Sequence, residues 1–512
     1  MADDITHYDA VEGYPGRLSY RPGDELTLHV SCTTATYDVE IHRWGATREL
    51  VWSSPDNAGV EQPTPSDADA NGCGWQPSIT VPIAHTWRSG FYLVTMRAHG
   101  APDDRSVGYA CFVVRAADAG RNKALLVVAT NTYNAYNNWG GVSLYTGGKQ
   151  VSFRRPFGRG TIVRPEEERD DRKSRTVRFG EEPDVDGEIY QSYRYARGYP
   201  GFMASTGWFT YERRFVEWAE AEPFEFDYAI SADLQDDPSV VDGYDLVLGV
   251  GHDEYWSFEQ RDTIEAYVRA GGNYVSLSGN TIFWQVRIES GGDTMVCHKY
   301  SASETDPMVA AGRPDRMTGM WSDPVLGRPE TAFLGAGSAY GLYSRFGMAT
   351  PRGSGAFTVY RNDHWLFADT GLRYGDLLGR DHGVVGYETV GCRIAFDEYQ
   401  LPIAAGGDGT PADIEVVAFT PSSNLAMGEY PASIAAQDDQ GDLEFVASRL
   451  YGSTDEDALR RVRHGNAVMV VCRPFGADGG EVVTVGSTDW VFGLADPAVA
   501  QVTRNAINRF AG

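Results

Sequence analysis

The chain has 512 residues, 42% of them hydrophobic and 12% aromatic, which is enough for several domains with sizeable cores. Its 44 basic and 71 acidic residues leave a formal charge of -27, which repels phosphate backbones and anionic membrane surfaces and excludes nucleic acid as the expected partner. Met1-Ala2-Asp3-Asp4 lacks the basic-then-apolar order of a signal peptide and no apolar run reaches membrane-spanning length, so a cytoplasmic protein without a membrane partner is expected. Cys32, Cys73, Cys111, Cys297, Cys392 and Cys472 show no CxxC spacing, which predicts reduced core thiols and not a zinc site or a disulfide framework.

From Gly13 to Arg115 short alternating segments are separated by turn signals: Glu25 to Val30, Tyr37 to His42, Ser78 to Val81, Gly90 to Arg97 and Ala110 to Val114. They predict an immunoglobulin-like β-sandwich over residues 1–116, with a small polar linker after it. A different pattern begins at Ala124-Leu125-Leu126-Val127-Val128-Ala129 and runs through residues 120–512. A helix is expected over Thr210 to Ala221 and a strand over Phe224 to Ile230; a further strand over Asp245 to Val250 leads to a helix from Ser257 to Arg269 and a strand at Asn273 to Leu277. Strands alternating with helices predict a mainly parallel α/β domain. Its interruptions are a long charged loop over 158–207 and an irregular, β-rich insertion over 300–440, with strands near Phe357 to Tyr360 and Ile414 to Phe419. The sheet pattern returns at Ala467 to Cys472 and Glu481 to Val485, before a final helix from Pro497 to Phe510. The class is therefore multidomain α/β plus all-β, and a class I glutamine amidotransferase-like sheet is one arrangement that fits.

Chemistry is expected where parallel strands end, because open α/β sheets bind ligands outside their carboxyl edges. The strand Asp245 to Val250 runs into Gly251-His252-Asp253-Glu254-Tyr255-Trp256. His252 and Glu254 can be a base beside an acidic neighbour, or the cap of the next helix with an incidental ion pair; their position past a buried strand favours function. Asn280 ends the neighbouring strand in the same way, as an orienting amide or a helix cap. The first α/β strand leads into a stretch dense in phenols and amides, Thr132 to Tyr145, which either lines a pocket or stacks as a small core with its Asn side chains making turns. No GxSxG elbow and no phosphate-cradling GxxxxGK[ST] loop occurs, so acyl-enzyme and nucleotide chemistry lose ground.

The motifs Thr132-Tyr133-x-x-Tyr136-x-Asn138, Ser143-Leu144-Tyr145, His252-x-Glu254-Tyr255, Gly279-Asn280 and Ser487-Thr488-Asp489-Trp490 resemble the carboxyl-terminal catalytic domain of the large (beta) subunit of N,N-dimethylformamidase. The likeness spans most of residues 120 to 512, and the sandwich resembles the domain that precedes it in that family. The resemblance implies a mononuclear ferric iron held by Tyr133, Tyr145 and Glu254, with Tyr136 as the alternative to Tyr133. It places His252, Asn280 and Glu388 of Gly386-Tyr387-Glu388 around the metal or substrate. It further implies hydrolysis of a small-molecule amide to an acid and an amine, in a homo-oligomer that works with a small partner subunit. Phenolate and carboxylate are hard donors that suit a ferric ion, and their three charges neutralise it. A phenol with a pKa of roughly 10 stays ionised at neutral pH only beside a strong Lewis acid. The competing expectation is a binding protein that stacks a carbohydrate on Tyr133, Tyr136 and Trp139 without turnover.

Overall fold

The computed structural model describes residues 9–164, 198–200, 202, 204–343, 355–424 and 442–512. The acidic amino terminus, most of the loop expected over 158–207, and residues 344–354 and 425–440 of the expected insertion lie outside them. The chain divides into two compact units, and the described residues of the first are 9–164, most of 198–244, and Val286–Cys297; the second holds Asp245–Gln285 and the described residues from His298 to Gly512.

The first unit begins with a sandwich. One sheet pairs β1 (Val11–Pro15), β3 (Glu25–Cys32) and β6 (Ile79–Pro82) antiparallel. The other runs β2 (Ser19–Tyr20), β8 (Val107–Val114), β7 (Gly90–Ala98), β4 (Thr36–Trp44) and β5 (Arg48–Ala58). The inward positions of β3, β4, β7 and β8 are apolar, and Leu28, Val30, Val39, Ile41, Val94, Phe112 and Val114 close one core between the sheets. The strands expected as β3, β4, β6, β7 and β8 are present, and the unforeseen β1 and β5 lie at sheet edges.

The same unit holds the parallel pair β9 (Ala124–Val128) and β11 (Phe226–Ile230), both fully buried. After β9 the aromatic stretch expected as a loop starts as a helix, α2 (Thr130–Tyr136), all of whose residues are buried. A short α1 (Ala68–Asn71) precedes it in the chain. Next come β10 (Gln150–Ser152), α3 (Glu212–Ala221) and α4 (Ser231–Asp236). Arg43 on β4 meets Glu220 on α3 through two hydrogen bonds of 2.9 and 2.6 Å, and the Tyr228 hydroxyl donates to the same carboxylate at 3.0 Å.

The second unit is built on a βαβ unit of β12 (Leu246–His252), α5 (Phe258–Arg269) and β14 (Asn273–Gly279), the two strands parallel. Every residue of β12 is buried, which explains its unbroken apolar sequence. The Ser257 side chain caps α5 by accepting from the Gln260 N–H at 3.0 Å. Beyond β14 the strands run β23 (Val482–Thr484), β22 (His464–Cys472), β21 (Glu415–Ser423), β17 (Phe357–Val359) and β18 (Leu377–Leu378). Only β12, β14 and β23 are mutually parallel here; β23 pairs β22, and each later pair follows, antiparallel. This sheet is mixed where a mainly parallel one was expected, because the 300–440 stretch contributes strands to the sheet itself. The final helix is α8 (Pro497–Ala511), capped by Asp496. All six cysteines are buried and outside any disulfide, and no described helix is long and apolar enough to cross a membrane.

Candidate functional site

In the second unit β12 and β14 end side by side, with His252 opposite Gly279 in the register. That places His252, Glu254 and Asn280 at one sheet end, and Glu388 joins them from the segment after residue 385. His252 Nε2 lies 2.9 Å from Glu388 Oε2 and 3.3 Å from Glu254 Oε2. Asn280 Nδ2 donates to Glu388 Oε2 at 3.0 Å and stands 3.4 Å from His252 Nε2. All four side chains are buried. One ligand atom each of His252, Glu254 and Glu388 lies within 4.8 Å of the others, close enough to share a cation.

The backbone that presents these groups is bent on purpose. Asn280 and Ile282 have φ of 47° and 60°, and a β-branched residue in the left-handed region is held there only by its surroundings. The holding bonds are Ile282 N–H to Asp253 O and Trp284 N–H to Glu254 O, both 3.0 Å, which lay the loop after β14 along the loop after β12. Gly279 has no room for a side chain: a Cβ would meet Glu388 O and Thr488 N at 2.3 Å each. The Ser487-Thr488 motif has a visible task, for Ser487 Oγ accepts from Gly386 N–H at 3.2 Å and Thr488 Oγ1 donates to Gly386 O at 2.7 Å. Together with the Thr488 N–H bond to Glu388 O at 3.1 Å, these contacts clamp the Glu388 segment to the sheet end.

Burial alone would depress the His252 imidazole, but Glu388 and Glu254 outweigh it and raise its pKa to about 10, so the ring is an imidazolium at neutral pH. Burial pushes the Glu388 carboxyl up against the pull of His252. Nearby, burial raises the Asp253 carboxyl to about 7 against the Trp256 hydrogen bond and the His252 charge. Lys299, which no local motif marks, is buried and its Nζ donates to the Tyr255 hydroxyl at 2.9 Å. Its only advance signal was the rarity of lysine in this chain.

Tyr133, Tyr136 and Tyr145 belong to the first unit. Tyr133 and Tyr136 lie on α2; the Tyr136 and Tyr145 rings stack with centroids 4.2 Å apart, and Tyr133 meets Phe157 edge-on. The segment between the tyrosines is fixed by Arg155, which donates to Asn137 O at 2.9 Å and Trp139 O at 2.5 Å, and by Asp69, which accepts from Val142 N–H at 2.9 Å. Asn137 organises the turn by accepting from Trp139 N–H and Gly158 N–H, and Trp139 packs edge-on to Trp75 in a small core. The turn-making and core-forming roles expected for this stretch are thus both in place.

Residues 36–505 match the model of the N,N-dimethylformamidase beta subunit-like, C-terminal family. The chain belongs to this family. The match starts within β4, so this dimethylformamidase-like chain shares the family pattern through most of its sandwich as well as its α/β part. No curated protein matches it. A solved structure described as "Structural basis of T cell specificity and activation by the bacterial superantigen toxic shock syndrome toxin-1" is 17% identical over 20% of this chain and 95% of that one, with a TM-score of 0.14, too slight a likeness to bear on the fold.

Proposed function

We propose that this dimethylformamidase-like chain hydrolyses a small amide to a carboxylic acid and an amine in an iron-dependent reaction. The observation that carries the reading is the buried cluster of His252, Glu254, Asn280 and Glu388 in a chain of this family. The donors assigned to iron, Tyr133, Tyr145 and Glu254, offer only oxygen, and hard anionic oxygen suits a ferric ion. Tyr133 and Glu254 are buried and Tyr145 is partly exposed. When bound there, iron supplies a Lewis acid that polarises the amide carbonyl and lowers the pKa of water.

The chain's own groups move the protons. Glu388 takes a proton from the attacking water and His252 Nε2 gives one to the leaving nitrogen, so the amine departs neutral and the acyl carbon keeps the hydroxyl. The 2.9 Å contact between His252 and Glu388 then returns the proton to the ring for the next cycle. Asn280 Nδ2 holds the Glu388 oxygen in place through this exchange. Oligomeric assembly belongs to the same reading, in keeping with the family's description as a subunit, and a small partner subunit and a cytoplasmic setting are proposed with it.

Iron-replete protein should release amine from formamides and carry a visible tyrosinate-to-iron absorption, and Tyr145→Phe and Glu254→Ala should lose both. Protein that stays colourless and metal-free after anaerobic iron loading would overturn the iron assignment. Carbohydrate stacking is not favoured, because it needs exposed ring faces, whereas Tyr133, Tyr136 and Trp139 are 0, 5 and 3% exposed.

A further inference from the structure

The turn that carries His252 and Glu254 rests on a second group of buried polar atoms, which the proposed chemistry does not use. Asp253 is 2% exposed and Tyr274 on β14 is 1% exposed, yet neither Asp253 Oδ1 nor the Tyr274 hydroxyl has a hydrogen-bond partner among the described residues. Both side chains converge on Gly249 of β12, where a Cβ would lie 3.0 Å from Tyr274 Oη and 3.4 Å from Asp253 Oδ2. The backbone does not call for glycine at this position, because Gly249 is not among the residues with positive φ. What glycine supplies is the space between the two oxygens, at some loss of strand stability. Trp256 closes the group: its ring stands edge-on to Tyr274 with centroids 6.2 Å apart, and its buried indole N–H faces the Asp253 carboxyl. Buried polar atoms are almost always paired, and leaving one unpaired is unfavourable by a factor of roughly ten to a hundred. One molecule suits all three atoms, a water that accepts from the indole, shares one bond with the phenol and donates to the carboxyl oxygen. A metal cation does not, because it would meet the indole N–H with like sign.

We propose that Asp253, Trp256 and Tyr274 hold an internal water beside Gly249, and that through it Asp253 acts as a positioning residue for the catalytic turn. The positioning role rests on the reading of the cluster as an amide-hydrolysing centre. The Asp253 side chain is then tied to β14 and to the segment before α5, while its main-chain O accepts from Ile282 N–H at 3.0 Å. With the middle residue of the turn fixed at both its carboxyl and its carbonyl, His252 and Glu254 on either side keep their 3.3 Å contact and their direction. Glu254 is a metal donor and His252 the proton donor in that reading, so loosening Asp253 displaces both together. Misplacement of a reacting group by about an ångström is worth roughly a hundredfold in rate.

The test pairs a crystal structure of the wild-type protein, at a resolution that shows ordered water, with formamide kinetics of iron-replete wild type, Tyr274→Phe and Gly249→Ala. The first variant removes one bond to the water and the second fills its space. The expected structure has a water within about 3.2 Å of Asp253 Oδ1, Trp256 Nε1 and Tyr274 Oη. The expected kinetics are a kcat at least about tenfold lower in both variants, with KM and iron content near the wild-type values and a displaced tyrosinate-to-iron absorption, since Glu254 is one of the donors. A dry space beside Gly249, a wild-type kcat in Tyr274→Phe, or a loss of activity that only follows a loss of bound iron overturns the proposal. If wild type turns over no formamide, the hydrolase reading fails by itself, and the crystal structure of Tyr274→Phe decides this one separately. Water in the wild type together with a turned Glu254 carboxylate in the variant sustains the role of Asp253; a Glu254 that has not moved ends it.

Discussion

Glu388 shows how much of a site can rest on one carboxylate. It accepts from Asn280, pairs with His252 and is locked by Thr488, all through contacts between residues at least 100 apart in the chain. Glu388→Gln keeps the shape and removes the charge. It should lower kcat by ~10²–10⁴-fold, the usual worth of a positioned acid or base, while iron content stays at the wild-type level because Glu388 is not among the proposed donors; loss of iron along with activity would instead make Glu388 a ligand. The same change takes away the largest influence raising the His252 pKa above its ordinary value, so a group titrating closer to neutrality should enter the pH–rate profile. Gly279→Ala is a steric test of the same place. Backbone atoms at 2.3 Å from the new Cβ cannot yield as a flexible side chain would, so the variant should unfold at a clearly lower temperature and lose activity, whereas a melting curve like that of wild type would show that the Glu388 segment is not packed as described.

Among the elements, the contact of α3 with β4 is the one that pH should address. Burial pushes the Glu220 carboxyl up, but the Arg43 guanidinium outweighs it, helped by the Tyr228 hydroxyl and the Ala46 N–H, and holds it below its ordinary 4.5. A carboxyl whose pKa is depressed on folding stabilises the fold above its unfolded value and loses that contribution as pH falls through the folded value. Glu220→Gln leaves Arg43 beside a neutral partner and should cost roughly 1–3 kcal/mol near pH 7 after solvent screening, with the gap to wild type narrowing as the pH falls through the depressed carboxyl range. Denaturant melts near neutrality and in acid measure both effects, and a gap that widens in acid contradicts the pairing. Elements of this kind were legible in the sequence to unequal degrees. β12 and α5 were, because an unbroken apolar run, the Ser257 cap and Gly271-Gly272 all agree on their limits. β5 was not, since its edge is polar, exposed and interrupted by Pro55. α2 read as a loop because Asn favours turns and Thr and Tyr are weak helix formers; it is helical where its complete burial overrides that preference. Of the site, strand ends announced His252, Glu254 and Asn280, but nothing local could announce the clamp of Ser487 and Thr488 on Gly386 or the Lys299 bond to Tyr255, which exist only once distant segments fold together.

For the whole molecule, the charge of -27 is the dominant fact outside the site. Self-repulsion of that size destabilises a compact state and is screened by salt, so the melting temperature should rise by several degrees between roughly 0.01 and 0.5 M sodium chloride, where the Debye length shrinks from about 30 Å to under 5 Å. A flat or falling curve would mean that local ion pairs such as Arg43 with Glu220 outweigh the global excess of acid. In the proposed reading the buried His252, Glu254, Asn280 and Glu388 cluster is the working centre of a small-amide hydrolase. The most direct measurement is the rate of amine release from formamides by iron-replete wild type beside Glu254→Gln, with the iron content of both determined. Turnover in the wild type that falls by at least ~10³-fold in the variant is the predicted result; no release from the wild type, or equal release from both, would contradict it.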